Sequence, residues 1–242
     1  MIIGVFDSGI GGLTVLAEIK KLLPNEKYYY IKDSKNCPYG EKSLEELKKI
    51  VSSATERLIW RGAEIIVVAC NTATTQTIDY LREKYPEVKF VGTEPAIKKG
   101  AEESSERAKI VVMATEGTAR SERLRQMTVK YKKPGQEILT IPCSGLARAI
   151  EDKDEEKIEK ILDGLEETAG GILTKTDGKM SEISSALKIM DFTEVETVIL
   201  GCTHYPLIRE KIQKKFPCAR LIDGSEGVAR EVKRLVSQAC NK

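Results

Sequence analysis

The stretch Glu64-Ile65-Ile66-Val67-Val68-Ala69-Cys70-Asn71-Thr72 decides how this chain is read, because it recurs as Glu196-Thr197-Val198-Ile199-Leu200-Gly201-Cys202-Thr203-His204. Each copy is an acidic residue, a short apolar run of the type buried on both faces of a parallel sheet, a small residue, then a cysteine followed by polar residues that suit a helix start. A fainter repeat accompanies it. Ile2-Ile3-Gly4-Val5-Phe6-Asp7-Ser8-Gly9 aligns with Ile110-Val111-Val112-Met113-Ala114-Thr115-Glu116-Gly117, an apolar strand ending in a polar, glycine-containing turn. In both halves the polar turn comes first and the cysteine strand later.

Outward from these repeats, strand-like runs at 2–6, 27–32, 64–69, 88–92, 109–114, 137–141 and 196–201 alternate with amphipathic helical stretches. That alternation implies an α/β fold of mainly parallel sheets with helices on both faces. The expected architecture is two similar α/β domains, pseudo-twofold related. Residues 1–93 plus 208–242 form the first, with Asp7 and Cys70, and residues 94–207 form the second, with Thr118, Cys202 and His204. The tail after Pro206 is thus expected to return to the first domain. Parallel sheets hold ligands outside the carboxyl ends of their strands, so the turns at Asp7, Cys70, Thr115 and Cys202 converge on one interdomain cleft if the domains face each other. Ser43 with Glu46 forms a capping box ahead of the stripe Leu44, Leu47, Ile50, Val51, Ala54, Leu58, which is read as core. The charge-dense run from Glu151 to Lys160 is read as a solvated helix face.

With 41% apolar and 31% charged residues in 242, the chain has a core to bury, which excludes disordered and collagen-like classes. Its apolar runs are far shorter than the roughly 20 residues of a membrane span. Ile2–Phe6 reads as a strand rather than the core of a signal peptide, so a cytoplasmic chain without a membrane partner is expected. Lys plus Arg total 39 against 37 Asp plus Glu, interspersed, which leaves no electrostatic footprint for nucleic acid. The six cysteines, Cys37, Cys70, Cys143, Cys202, Cys218 and Cys240, include no C-x-x-C pair, so free thiols are the default. Cys202 and His204, two apart on a turn, make a poor zinc pair, and no metal is expected.

Cys70 and Cys202 carry the chemistry. A lone free cysteine is usually a small core residue. Two thiols at the ends of two equivalent strands instead suit a reaction in which a proton leaves one face of a carbon and returns to the other. From an ordinary pKa near 8.5, holding a thiolate at neutral pH costs about 2 kcal/mol, which a helix N-terminus and an acid–base neighbour can supply. Asp7, on Asp7-Ser8-Gly9-Ile10-Gly11-Gly12, is placed to orient Cys70 or exchange a proton with it, with Ser8 as a hydrogen-bond donor. The competing reading of this turn is a nucleotide loop, with Asp33 as a ribose-binding acid. Against it, Gly9-x-Gly11-x-x-Thr14 lacks the third small residue, and Asp7 would set negative charge against phosphates. His204, the sole histidine, suits an acid–base partner of Cys202. Ser8, Asn71, Thr72 and Thr203 are neutral donors at helix starts, able both to cap and to hold a carboxylate. Cys37-Pro38-Tyr39-Gly40 is first a turn and second a loop over the cleft, where Tyr39 and Gly40 close on a substrate.

Through Gly4–Val15, Cys37–Gly40, Ala69–Ala73, Glu116–Thr118 and Leu200–Leu207, the chain resembles the glutamate racemases of the cofactor-independent amino-acid racemase superfamily, in their order and over nearly its whole length. The resemblance implies two α/β domains around a cleft, with racemisation of glutamate by two cysteines and no cofactor, supplying D-glutamate for bacterial peptidoglycan. It implies that Cys70 acts on the proton of the D-enantiomer and Cys202 on that of the L-enantiomer, assisted by Asp7 and His204 respectively. Glu151 would match the family's second-domain glutamate, although Ile141–Ile150 departs from the usual lead-in. Substrate contacts would come from Asp7, Ser8, Tyr39, Gly40, Asn71, Thr72, Thr118, Thr203 and His204. The pair Thr203-His204 favours glutamate over the aspartate racemases, which typically carry glutamate after that threonine. The partner implied is glutamate alone, with a homodimer left open. The chain starts at its first strand, without the N-terminal extension through which some members respond to a cell-wall precursor, so that activation is not expected. It ends soon after Asp223-Gly224-Ser225, and a short last helix is expected. Three alternatives stay open: a sister racemase for aspartate or a related acid, a pyridoxal-phosphate racemase, and a non-catalytic amino-acid binder.

Overall fold

Isoleucine and valine decide β3 (Ile65–Val68), whose four residues are all buried in the computed structural model, which describes residues 1–165 and 191–240. Alternate side chains leave a strand on opposite faces. Ile66 and Val68 join Phe6 of β1 (Ile2–Asp7) beneath helices α2 (Leu44–Trp60) and α3 (Asn71–Lys84), while Ile65 and Val67 join Ile3 and Val5 beneath α1 (Gly12–Leu22). With β2 (Lys27–Lys32) and β4 (Lys89–Gly92) they form a parallel sheet in the order β2-β1-β3-β4.

The second half repeats this arrangement. Strands β5 (Lys109–Ala114), β6 (Glu137–Pro142), β7 (Val195–Gly201) and β8 (Arg220–Ile222) form a parallel sheet in the order β6-β5-β7-β8. Val111, Met113, Val198 and Leu200 face one apolar layer, and Ile110, Val112 and Ile199 the other. Phe6 pairs with Val68 in one sheet and Ala114 with Gly201 in the other, so in each sheet the two central strands finish level. Two α/β halves of equal strand order are what the sequence repeats imply. No described helix is long and apolar enough to cross a membrane.

Four local expectations need correction. Residues 208–222 stay with the second half: Ile208, Ile212, Phe216, Ala219 and Leu221 pack with Val198 and Leu200, and β8 pairs with β7. Only the last helix, Ser225–Cys240, returns, setting Val228, Ala229, Val232 and Val236 against α1. The return expected after residue 207 therefore falls beyond β8, a three-residue strand too short to show a period. That helix spans 16 residues and is not short. The Ser43–Glu46 capping box is present, and Leu47, Val51, Ala54 and Leu58 are buried, but Leu44 is 44% exposed because it opens the helix before the helix meets the sheet. Finally, the run 151–160 is exposed as expected except at Glu151 and Ile158, but it spans two helices rather than one face. Helix α4 (Ile97–Glu103), α5 (Glu116–Ala119) and α6 (Glu122–Tyr131) are followed by α7 (Leu146–Asp152), which stops at Lys153 in the left-handed region (φ 57°). Asp154 then accepts the N–H of Lys157 to start α8 (Glu155–Asp163), and Glu151 at the end of α7 turns inward.

Candidate active site

The carboxyl ends of β1, β3, β5 and β7 meet, as two facing parallel sheets allow. Asp7 ends β1 fully buried, with Oδ2 accepting the N–H groups of Gly9 (3.1 Å) and Gly12 (2.9 Å). The hydroxyl of Thr203, beyond β7, donates to its Oδ1 at 3.3 Å from the other half. Thr72, at the start of α3, lies 2.8 Å from Thr115 Oγ1 beyond β5, hydroxyl to hydroxyl, and 3.4 Å from Thr118. The Ile10 N–H crosses to Glu151 Oε2 at 2.8 Å.

Cys70 stands at the N-cap of α3, where the N–H groups of Ala73 and Thr72 approach its sulfur and its thiol lies 3.8 Å from Ser8 Oγ. Burial nonetheless pushes this thiol up to about 12, with the Asp7 carboxylate adding to the effect. Burial likewise raises the Cys202 thiol well above its ordinary value, opposed by the His204 N–H and reinforced by Cys70, Asp7 and Cys37. The sequence expectation of a thiolate favoured by the helix end is therefore outweighed, because desolvation raises both thiols by more than the N–H groups lower them. His204 Nδ1 faces Cys202 Sγ at 3.8 Å, while Nε2 lies 2.9 Å from Glu151 Oε2. Burial works to raise the Glu151 carboxyl, but the Ile10 N–H, Lys32 and His204 together hold it down at about 2. The Lys32 ammonium sits 2.9 Å from its other oxygen.

Several proposed contacts have other partners here. The Tyr39 hydroxyl donates to Asp33 at 2.7 Å, and its ring is buried in the apolar layer with Phe6 and Leu47. Asp33, weighed as a ribose-binding acid, is thereby taken up in holding the loop, along with Asn36. Gly40 lies against Thr115, where a Cβ would come within 3.0 Å of the threonine Cβ. The Asn71 amide donates to the Thr93 carbonyl at 3.1 Å.

Thr115 is absent from the residues expected to touch substrate, yet it bridges Thr72 and Thr118 and caps α5. The signal for it was its place opposite Asp7 in the fainter repeat. For metal ligation, the structure groups residues that no sequence spacing linked. Ligating atoms of Cys37, Glu151 and His204 all lie within 4.8 Å of one another.

A sequence profile described as Asp/Glu/Hydantoin racemase matches residues 3–232. The glutamate racemase of Clostridium novyi (strain NT) is 40% identical over 235 residues, covering 97% of this chain and 83% of that protein. A solved Escherichia coli glutamate racemase, in complex with L-glutamate and the activator UDP-MurNAc-ala, matches with a TM-score of 0.75 and 31% identity, covering 98% of this chain and 82% of that one. A Francisella tularensis glutamate racemase in complex with D-glutamate matches with a TM-score of 0.75 and 27% identity, covering 98% and 81%.

Proposed function

Because the chain belongs to the Asp/Glu/hydantoin racemase family, a family of isomerases, we propose that it interconverts L- and D-glutamate by a two-cysteine proton transfer that uses no cofactor. The observation carrying this reading is the pair of equivalent thiols. Cys70 has Asp7 and Ser8 beside it, and Cys202 has His204 backed by Glu151. The relatives solved with L-glutamate and with D-glutamate support the substrate.

One sulfur, as thiolate, takes the α-proton, and the electron pair left on carbon delocalises into the carboxylate. The opposite thiol delivers its proton to the other face. The S–H bond formed on one side matches the one broken on the other, so a turnover exchanges which cysteine is protonated. Cys70 serves the D-enantiomer and Cys202 the L-enantiomer. With each sulfur about 3 to 3.5 Å from the carbon, the two lie roughly 6 to 7 Å apart across bound substrate. Positioned acid–base groups contribute ~10²- to 10⁴-fold each. The rest comes from excluding water and from donors to the growing carboxylate charge: the first N–H groups of α3 and the hydroxyls of Ser8, Thr72, Thr115, Thr118 and Thr203. Both thiols rest protonated; on binding, one hands its proton to its acid–base neighbour, Asp7 for Cys70 or His204 for Cys202, and the substrate ammonium brings the positive charge that favours the thiolate so formed.

Asp7, Ser8, Cys70, Asn71, Cys202, Thr203 and His204 are each no more than 6% exposed, so substrate reaches them when the two domains open or the 33–42 loop lifts. The D-glutamate formed serves cytoplasmic peptidoglycan synthesis. The test is to incubate each enantiomer in deuterated water with Cys70→Ser and Cys202→Ser variants. Each variant loses α-proton exchange of its own enantiomer by far more than of the other. Full activity in both variants overturns the mechanism.

A further inference from the structure

Cys37 is a third buried thiol with no part in the proton transfer, yet it opens onto the groups that perform it. Its sulfur, a Glu151 oxygen and a His204 ring nitrogen lie within 4.8 Å of one another. They come from the loop after β2 in the first half, from the end of α7 and from the turn after β7. We propose that these three side chains form a binding site for a thiophilic divalent cation, Zn²⁺ being the type ion, and that filling it stops turnover.

Thiolate, imidazole and carboxylate are a common zinc donor set, with a fourth position left for water, whereas Mg²⁺ and Ca²⁺ seek oxygen donors alone. Zinc bonds of about 2.0 to 2.3 Å put donors of a tetrahedron roughly 3.3 to 3.8 Å apart. His204 Nε2 and Glu151 Oε2 are already 2.9 Å apart, so an approach of about 1 Å by the sulfur completes the set. The surroundings favour a cation. Glu151 sets a carboxylate beside the Cys37 sulfur, and Asp7 stands near enough to act on it as well. Two basic groups stand nearby. Lys32 takes the other Glu151 oxygen, so the ion shares Oε2 with the Ile10 N–H alone once it displaces the His204 hydrogen bond, and Arg148 donates to the Cys37 main-chain carbonyl at 3.0 Å rather than to its sulfur.

On binding, the Cys37 S–H bond breaks, its proton goes to solvent and a sulfur–metal bond forms. Glu151 is ionised beforehand, and His204 contributes a nitrogen lone pair. The ion therefore replaces the hydrogen bond between Glu151 and His204, takes the imidazole from Cys202 and ties the two halves together.

The test uses the full chain without affinity histidines, freed of metal by chelation and titrated with Co²⁺ as optical reporter. One equivalent is expected to give thiolate-to-metal charge-transfer absorption and tetrahedral ligand-field bands, with release of a proton, and Zn²⁺ displaces it. Zn²⁺ also inhibits racemisation. Cys37→Ser keeps basal turnover, loses the charge-transfer band and is inhibited at least tenfold less readily. The band survives in Cys70→Ser, Cys202→Ser and Cys218→Ser. Absence of a one-equivalent thiolate band overturns the proposal, as does a band that persists in Cys37→Ser or vanishes in any of the other three variants. Because inhibition rests on the proposed reaction, the optical titration separates the two ideas: a band in a chain with no racemase activity upholds the site and sinks the reaction.

Discussion

The Thr203 hydroxyl donates to the Asp7 carboxylate at 3.3 Å, tying the turn after β7 to the turn after β1. The two residues stand 196 apart in sequence, and the contact joins the acid beside one sulfur to the neighbour of the other. Substitutions along this seam separate the packing of each half from the closure of both.

Gly11 has ordinary helical torsions (φ −58°, ψ −36°), so alanine strains nothing in its own backbone. Its Cβ would fall 2.5 Å from the Thr203 carbonyl carbon and 2.6 Å from the His204 nitrogen, both in the opposite half. Gly11→Ala is expected to keep its melting midpoint within a few degrees and lose ~100-fold or more in turnover, through misplacement of the facing acid–base groups. Equal collapse of both would show that the glycine serves folding instead.

Burial is the main influence on Asp7 and raises its pKa, outweighing His204, the N–H groups of Gly9 and Gly12, and Thr203. Ionising it therefore costs stability. That cost is absent below the ordinary carboxylate value and grows as pH rises through the folded one. Asp7→Asn should melt higher than the parent at neutral pH, with the gap closing in acid, while turnover falls at least ~100-fold. Melting curves from pH 3 to 8 decide it.

Glu151 behaves in the opposite sense. Burial disfavours its charge, but the Ile10 N–H, Lys32 and His204 hold its pKa at about 2, below the ordinary 4.5. Its contribution to stability is present above that ordinary value and is lost as pH falls towards the folded one. Glu151→Gln should be less stable than the parent near neutrality and match it near pH 2. It should also lower kcat by ~10²-fold with a smaller change in KM, because the imidazole loses its orienting partner. An unchanged kcat would remove Glu151 from the reaction.

Thr115→Val preserves shape while deleting the hydroxyl that meets Thr72 at 2.8 Å and Thr118 at 3.2 Å. The unpaired hydroxyls left behind cost about 1 to 3 kcal/mol, and KM for glutamate should rise by roughly tenfold. Initial rates against substrate concentration test this, and an unaltered KM would leave Thr115 as a cap alone.

Ser43→Ala removes the capping box of α2, in which Ser43 accepts the Glu46 N–H and Glu46 accepts that of Ser43. Urea unfolding should register a loss of about 1 kcal/mol. Turnover should stay unchanged, which makes this variant the control for stability effects elsewhere.

How much of this was legible follows from the range of each interaction. Ile65–Val68 could be read as a buried strand, Cys70 as the start of α3 and Ser43–Glu46 as a cap, because side-chain alternation and terminal N–H groups act within a few residues. β8 went unseen because three residues show no period, and it is a strand only through its pairing with β7. Glu151 looked solvated for the same reason. Its neighbours in sequence are charged, whereas its partners in space are Ile10, Lys32 and His204.

The amino-acid sequence alone therefore determined two parallel α/β halves and a thiol at the end of a central strand in each, since both depend on patterns complete within single segments. Only the tertiary structure decided that Thr115 joins Thr72, that Glu151 backs His204, that Cys37 borders them and that burial raises both cysteine thiols. Those outcomes depend on how two sheets approach and how much water they exclude, and no local pattern carries that information.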